Sequence, residues 1–157
     1  MFRRSIVVLS AIVLVLAFAP AVIAGAHGTD RPLTGTLTGE LNFVRTPSDP
    51  SCPVWTMTDG TGTMSHLGLV RAVSSHCMPT HLGGQWVTTA ADGDQLFAEY
   101  TVPRIPFRVY ITGGTGRFVG ASGWFDWDVH FWGDVDATGW PVSPWHFEGT
   151  LEGVISY

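Results

Sequence analysis

The sequence predicts an all-β fold, a single antiparallel domain of seven or eight strands behind a removable export signal. Three observations carry this reading. Alternation of apolar and polar side chains recurs along most of the chain, turn-forming clusters separate the alternating segments, and no later stretch of ten residues spaces its apolar side chains at three and four. Successive side chains of a strand point to opposite faces, so this alternation marks a sheet with one face buried. The chain also holds no Lys and little Glu or Gln, which leaves poor material for helices.

The N-terminus reads differently. Met1-Phe2-Arg3-Arg4 is a short basic start, and an apolar run from Ile6 to Phe18 follows, interrupted only by Ser10. A membrane-spanning helix needs about 20 apolar residues. Here the run gives way to Pro20 and to Val22-Ile23-Ala24, small or modest side chains of the kind a signal peptidase reads. Residues 1–24 are therefore expected to be a cleaved signal peptide, with Ala24-Gly25-Ala26 offering a second cleavage point, and residues 25–157 to form one domain. An uncleaved anchor is the alternative, against which the short run and the lack of a basic stop-transfer flank both argue. The expected address is secreted or extracytoplasmic, with no stable membrane insertion after cleavage.

Charge narrows the partners. The chain carries 8 Lys+Arg against 13 Asp+Glu, and cleavage would remove Arg3 and Arg4 but no acid. The remaining arginines, Arg31, Arg45, Arg71, Arg104, Arg108 and Arg117, are scattered. Nucleic acids and anionic membrane surfaces call for a basic stripe, so neither is expected as a partner. Charged residues make up 13% of the chain against a usual ~25%, while aromatics are plentiful, a balance that suits many strands hiding aromatic faces.

Two cysteines, Cys52 and Cys77, in an exported chain favour a disulfide, which would stabilise the fold by roughly 3 kcal/mol in the chain-entropy model. A simple hairpin with these two residues opposite each other turns near Met64-Ser65. A turn at Asp59-Gly60 would instead leave Cys52 about 26 Å from its partner along the strand. Either the turn lies elsewhere, or Cys52 bonds from the loop Thr46-Pro47-Ser48-Asp49-Pro50-Ser51-Cys52-Pro53, which is rich in turn formers. His66, His76 and His81 surround Cys77, but their spacing matches no familiar zinc motif, so no metal is expected.

Strands are expected at 33–45, 54–63, 65–76, 84–91, 95–102, 105–112, 118–132 and 145–157. Leu33, Leu37, Leu41 and Phe43 share one face of the first, and Phe107, Val109 and Ile111 one face of the sixth. Phe125, Trp127, Val129 and Phe131 oppose Trp124, Asp126, Asp128, His130 and Trp132; Trp145, Phe147, Leu151, Ile155 and Tyr157 oppose His146, Glu148, Thr150, Glu152 and Ser156. Turn signals lie at Gly83-Gly84, Asp92-Gly93-Asp94, Gly113-Gly114-Thr115-Gly116 and from Gly133 to Pro144. Short connections imply antiparallel neighbours in a barrel or a sandwich, and closure into an eight-stranded barrel removes exposed edges.

The segment Ile111-Thr112-Gly113-Gly114-Thr115-Gly116-Arg117-Phe118-Val119-Gly120-Ala121-Ser122-Gly123 resembles the glycine-rich hairpin of the allene oxide cyclase and dirigent barrels. Asp92-Gly93-Asp94-Gln95-Leu96-Phe97, Ser65-His66-Leu67-Gly68 and Phe147-Glu148-Gly149-Thr150-Leu151-Glu152-Gly153 resemble small exported bacterial proteins of unknown function that share that barrel. The resemblance implies an eight-stranded, calycin-like barrel. Allene oxide cyclases hold an apolar epoxide beside a Glu and an Asn-held water, and dirigent barrels use lumenal acids to steer a coupling. Asn42, the chain's single asparagine, does not align with the cyclase residue, so the resemblance carries no catalytic assignment. As a phosphate loop the glycine-rich stretch lacks Gly-Lys followed by Ser or Thr; its glycines read as a turn leading into a strand.

Two constellations bear on function. Asp126, Asp128 and His130 share a strand face, with Glu99 a further acid, and could bind a divalent metal, serve as an acid–base set, or form the solvated outside of a barrel, the last being favoured over a metal site. The aromatic load, with Trp124, Trp127, Phe131 and Trp145 the candidate ligand contacts, reads as packed core, as a lumenal pocket, or as an oligomerisation surface. The leading expectation is a barrel that binds a small apolar or aromatic molecule, with no cofactor. A cyclase-like or isomerase-like enzyme with an acid in the lumen, and a structural envelope protein, are the alternatives.

Overall fold

A computed structural model describes residues 28–46, 48–78, 83–101 and 105–157. The expected signal peptide, residues 1–24, lies outside the described residues, as do Arg104 and His81. Eight strands follow in order: β1 (Arg31–Arg45), β2 (Val54–Met64), β3 (Gly68–Met78), β4 (Gly83–Ala90), β5 (Gln95–Thr101), β6 (Phe107–Gly114), β7 (Ser122–Trp132) and β8 (Trp145–Ser156). Each pairs antiparallel with the next, and β8 returns to pair with β1, so the sheet closes into a barrel. Closure satisfies the ladder of every strand and leaves no open edge.

Alternation decides what fills the barrel. Leu33, Leu37 and Leu41 from β1, Val109 and Ile111 from β6, Phe125, Trp127 and Val129 from β7, and Phe147, Leu151 and Ile155 from β8 are buried inside, with polar residues between them outside. One end is plugged. A single 3-10 turn, Gly116–Phe118, carries Phe118 into the bottom of the barrel, where it is fully buried with its ring 5.0 Å from that of Tyr157. Arg117 covers the plug, its guanidinium 4.8 Å from the Phe118 ring and ion-paired to Asp92.

This turn corrects the expected start of β7. The strand begins at Ser122 rather than at 118, because Phe118 N–H donates to the Thr115 carbonyl (2.9 Å) and Ala121 N–H to the Phe118 carbonyl (3.0 Å), closing the backbone on itself. The β2–β3 turn also sits later than a simple hairpin between the cysteines requires. Met64 pairs with Gly68 and Trp55 with Cys77, so Cys52 lies beyond the end of β2 and bonds Cys77 from the loop, with their Cα atoms 5.3 Å apart. Among the described residues no helix is long and apolar enough to cross a membrane.

Candidate functional site

The end of the barrel opposite Phe118 is open. There the inner faces of β1, β2, β3, β5, β6, β7 and β8 surround a cavity of about 210 Å³. Its wall is aromatic on one side, with Phe43, Phe107, Trp127, Phe131 and Trp145, and polar on the other, with Thr56, Thr58, Ser74, His76 and Tyr100. Trp127 is the hub of the aromatic side: its ring centroid lies 5.9 Å from Phe107, 5.9 Å from Phe131 and 5.5 Å from Phe147, and 4.9 Å from Trp86. It has this room because Gly149 on β8 has no side chain; a Cβ there would fall 2.7 Å from Trp127 Nε1.

Strand register assembles the polar side. Thr56 on β2 stands directly opposite His76 on β3, and Thr58 opposite Ser74, so four inward side chains form two adjacent cross-strand pairs. Thr58 Oγ1 and Ser74 Oγ are 2.6 Å apart, Ser74 Oγ lies 3.4 Å from the Tyr100 hydroxyl, and that hydroxyl lies 2.9 Å from His76 Nδ1. Tyr100 reaches these partners across β4 through the gap at Gly84, where a Cβ would meet its hydroxyl at 2.6 Å. Two buried polar atoms of the lining have no hydrogen-bond partner: Thr56 Oγ1 and Trp127 Nε1. Unpaired groups of this kind are uncommon inside proteins and call for an explanation.

The cavity is electrically neutral near pH 7. Burial pushes the His76 imidazole below its ordinary value and the Tyr100 phenol above its own, so both hold their uncharged forms. No carboxylate or guanidinium appears among the described lining residues.

No protein-family model matches the chain, and no curated protein matches it. Solved structures do. The pterocarpan synthase dirigent protein GePTS1 superposes with a TM-score of 0.50 at 17% identity, covering 85% of this chain and 88% of that one. PsPTS1, also a pterocarpan synthase dirigent protein, gives a TM-score of 0.50 at 16% identity over 83% of this chain and 97% of its own. The fold is that of a dirigent barrel. At these identities the likeness is one of fold, and the site of this dirigent-type barrel has to be read from its own residues.

Those residues divide the sequence candidates cleanly. Trp127, Phe131 and Trp145 line the cavity. Trp124 is on the outer face, where the Arg108 guanidinium lies 3.8 Å from its ring. Asp126 is beside it, held by both arms of Arg108, with Arg108 Nη2 2.8 Å from Asp126 Oδ2. Asp128 and Glu99 are exposed, and His130 stacks on Trp132 with ring centroids 5.6 Å apart, also outside. These placements follow from parity, since each alternates with a buried inward neighbour.

Thr56, Thr58, Ser74 and Tyr100 line the cavity without having been singled out by charge or motif, and His76, weighed in the sequence only beside Cys77, joins them. A usable signal was present. Once Cys77 is paired with Cys52 outside the barrel, alternation sends its neighbour His76 inward together with Ser74, Ala72 and Val70.

Proposed function

We propose that this dirigent-type barrel is an exported binding protein whose open end takes a small apolar or aromatic molecule. The observation that carries the reading is the cavity: five aromatic side chains on one wall, an uncharged polar chain on the other. Its size fits the proposal. A cavity of about 150 Å³ suffices for benzene, and ligand pockets for drug-sized molecules start near 300 Å³. The 210 Å³ here suits one ring with a short substituent, with room for a larger molecule to project from the mouth.

The enzymatic alternative, with a carboxylic acid in the lumen, finds no support in the placement of Glu99, Asp126 and Asp128, all of which alternate outward. Export is part of the proposal. Its support is the apolar N-terminal run with Ala24 at the expected cleavage point, and the Cys52–Cys77 bridge, which persists in oxidising compartments.

Both parts can be measured. Trp127 and Trp145 line the cavity, so titration with toluene, indole or naphthalene should change tryptophan emission saturably. No saturable response to any of them would overturn the binding reading. Sequencing the N-terminus of protein recovered outside the producing cell should begin at Gly25; an intact Met1 would overturn the export reading.

A further inference from the structure

The polar wall says more about the ligand than the aromatic wall does. Building on the binding reading above, we infer that the cavity selects neutral aryl carbonyl compounds, ketones or aldehydes, whose oxygen accepts hydrogen bonds from Thr56 and His76.

Tyr100 Oη is 2.9 Å from His76 Nδ1 and 3.4 Å from Ser74 Oγ. The phenol has one proton to give. A phenol is a stronger acid than an imidazole N–H and an imidazole nitrogen a stronger acceptor than a hydroxyl, so the shorter contact takes the Tyr100 proton. Neutral His76 then carries its own proton on Nε2, for which no described residue is an acceptor. The Thr56 hydroxyl stands directly across the strand pair, buried to 2% exposure and without a partner. Residues opposite each other in such a pair have Cβ atoms about 5 Å apart, close enough for two donors to meet on one oxygen. Trp127 Nε1 is a further buried donor of the lining residues without a partner.

A lining that offers unused donors in uncharged surroundings selects for an acceptor. A carbonyl oxygen has two lone pairs and no proton of its own to place, which matches two donors converging on it. A carboxylate would also accept, but no described lining residue is positively charged, and an unpaired buried anion is strongly penalised. An alkyl arene would fill the aromatic wall and leave Thr56 as unsatisfied as before.

The test is a matched set of one-ring probes titrated by calorimetry: acetophenone, ethylbenzene and benzoate. The expected result is that acetophenone binds about tenfold more tightly than ethylbenzene, the difference a net hydrogen bond makes, and that benzoate is weaker than both. Thr56→Val, which keeps shape and removes the hydroxyl, and His76→Leu should each shrink the ratio of acetophenone to ethylbenzene affinity, both probes being measured on the same variant. Equal or reversed affinities for acetophenone and ethylbenzene would overturn the carbonyl inference and leave the aromatic binder standing. Benzoate binding as tightly as acetophenone would overturn the requirement for neutrality, and a preference that survives in both variants would overturn the roles of Thr56 and His76. Failure of both neutral probes to bind would instead remove the binding reading beneath it.

Discussion

Two threonines on β2, two residues apart and facing the same way, should respond oppositely to the same substitution. Thr58 shares a 2.6 Å hydrogen bond with Ser74, so Thr58→Val leaves the buried Ser74 hydroxyl only its longer contact with Tyr100 and should cost about 1–3 kcal/mol. Thr56 has no partner to strand, so Thr56→Val in the ligand-free protein should be neutral or stabilising by up to about 1 kcal/mol. Urea unfolding of both variants checks the contrast; a Thr56→Val loss as large as that of Thr58→Val would mean the hydroxyl is engaged after all. His76 adds a pH signature. Its folded pKa lies below the ordinary 6.5, so as pH falls the unfolded chain takes up the proton first. The contribution is complete above 6.5 and is lost as pH falls from there towards the folded value. The window is distinct from that of Asp59, whose carboxyl is held below 3.8 chiefly by its hydrogen bond to Arg71 and whose contribution is lost in more acidic solution. His76→Gln should flatten the stability profile just below pH 6.5 and leave the more acid limb intact.

At the level of strands, alternation gave most of the architecture, and the exceptions have local causes. The paired faces of β7 and β8 were legible because every second residue is large and apolar. The site was harder to read because β2, β3 and β4 place Thr56, Thr58, Ser74, His76 and Gly84 inward, where a hydrophobicity pattern looks for leucine and valine. Gly84 shows the difficulty. In sequence, Gly83-Gly84 reads as a turn signal at the start of the strand expected at 84–91, yet Gly83 also belongs to β4, and Gly84 is the gap through which Tyr100 reaches His76. A β-carbon there would meet the Ser75 carbonyl oxygen at 2.3 Å and the Tyr100 hydroxyl at 2.6 Å. Gly84→Ala should therefore cost about 1–3 kcal/mol, as overpacking does elsewhere. It should also displace the Tyr100 ring, seen as a shift of its ring protons in NMR spectra. An unchanged Tyr100 environment would show that β4 moves instead.

Across the whole molecule, the sealed core and the proposed binding cavity lie at opposite ends of the barrel. Phe118 seals one end with no exposed surface and is not among the residues that line the cavity, whereas Phe131 stands half-buried at the mouth of the other. The described chain also enters and leaves at the sealed end: Gly28 lies against Tyr157, and the Ser156 hydroxyl hydrogen-bonds the Gly28 carbonyl at 2.5 Å. The two ends should separate in mutants. Phe118→Ala opens a void in a fully buried position and should cost about 3–5 kcal/mol, while the affinity of the folded fraction for an aromatic probe stays at the wild-type value. Phe131→Ala removes a partly exposed ring from the cavity wall, so it should cost less stability than Phe118→Ala yet weaken aromatic binding several-fold. Denaturant unfolding and probe titration on the two variants decide it. Loss of probe affinity in Phe118→Ala under conditions where that variant is still folded would show that the plug and the mouth are coupled through the barrel rather than independent.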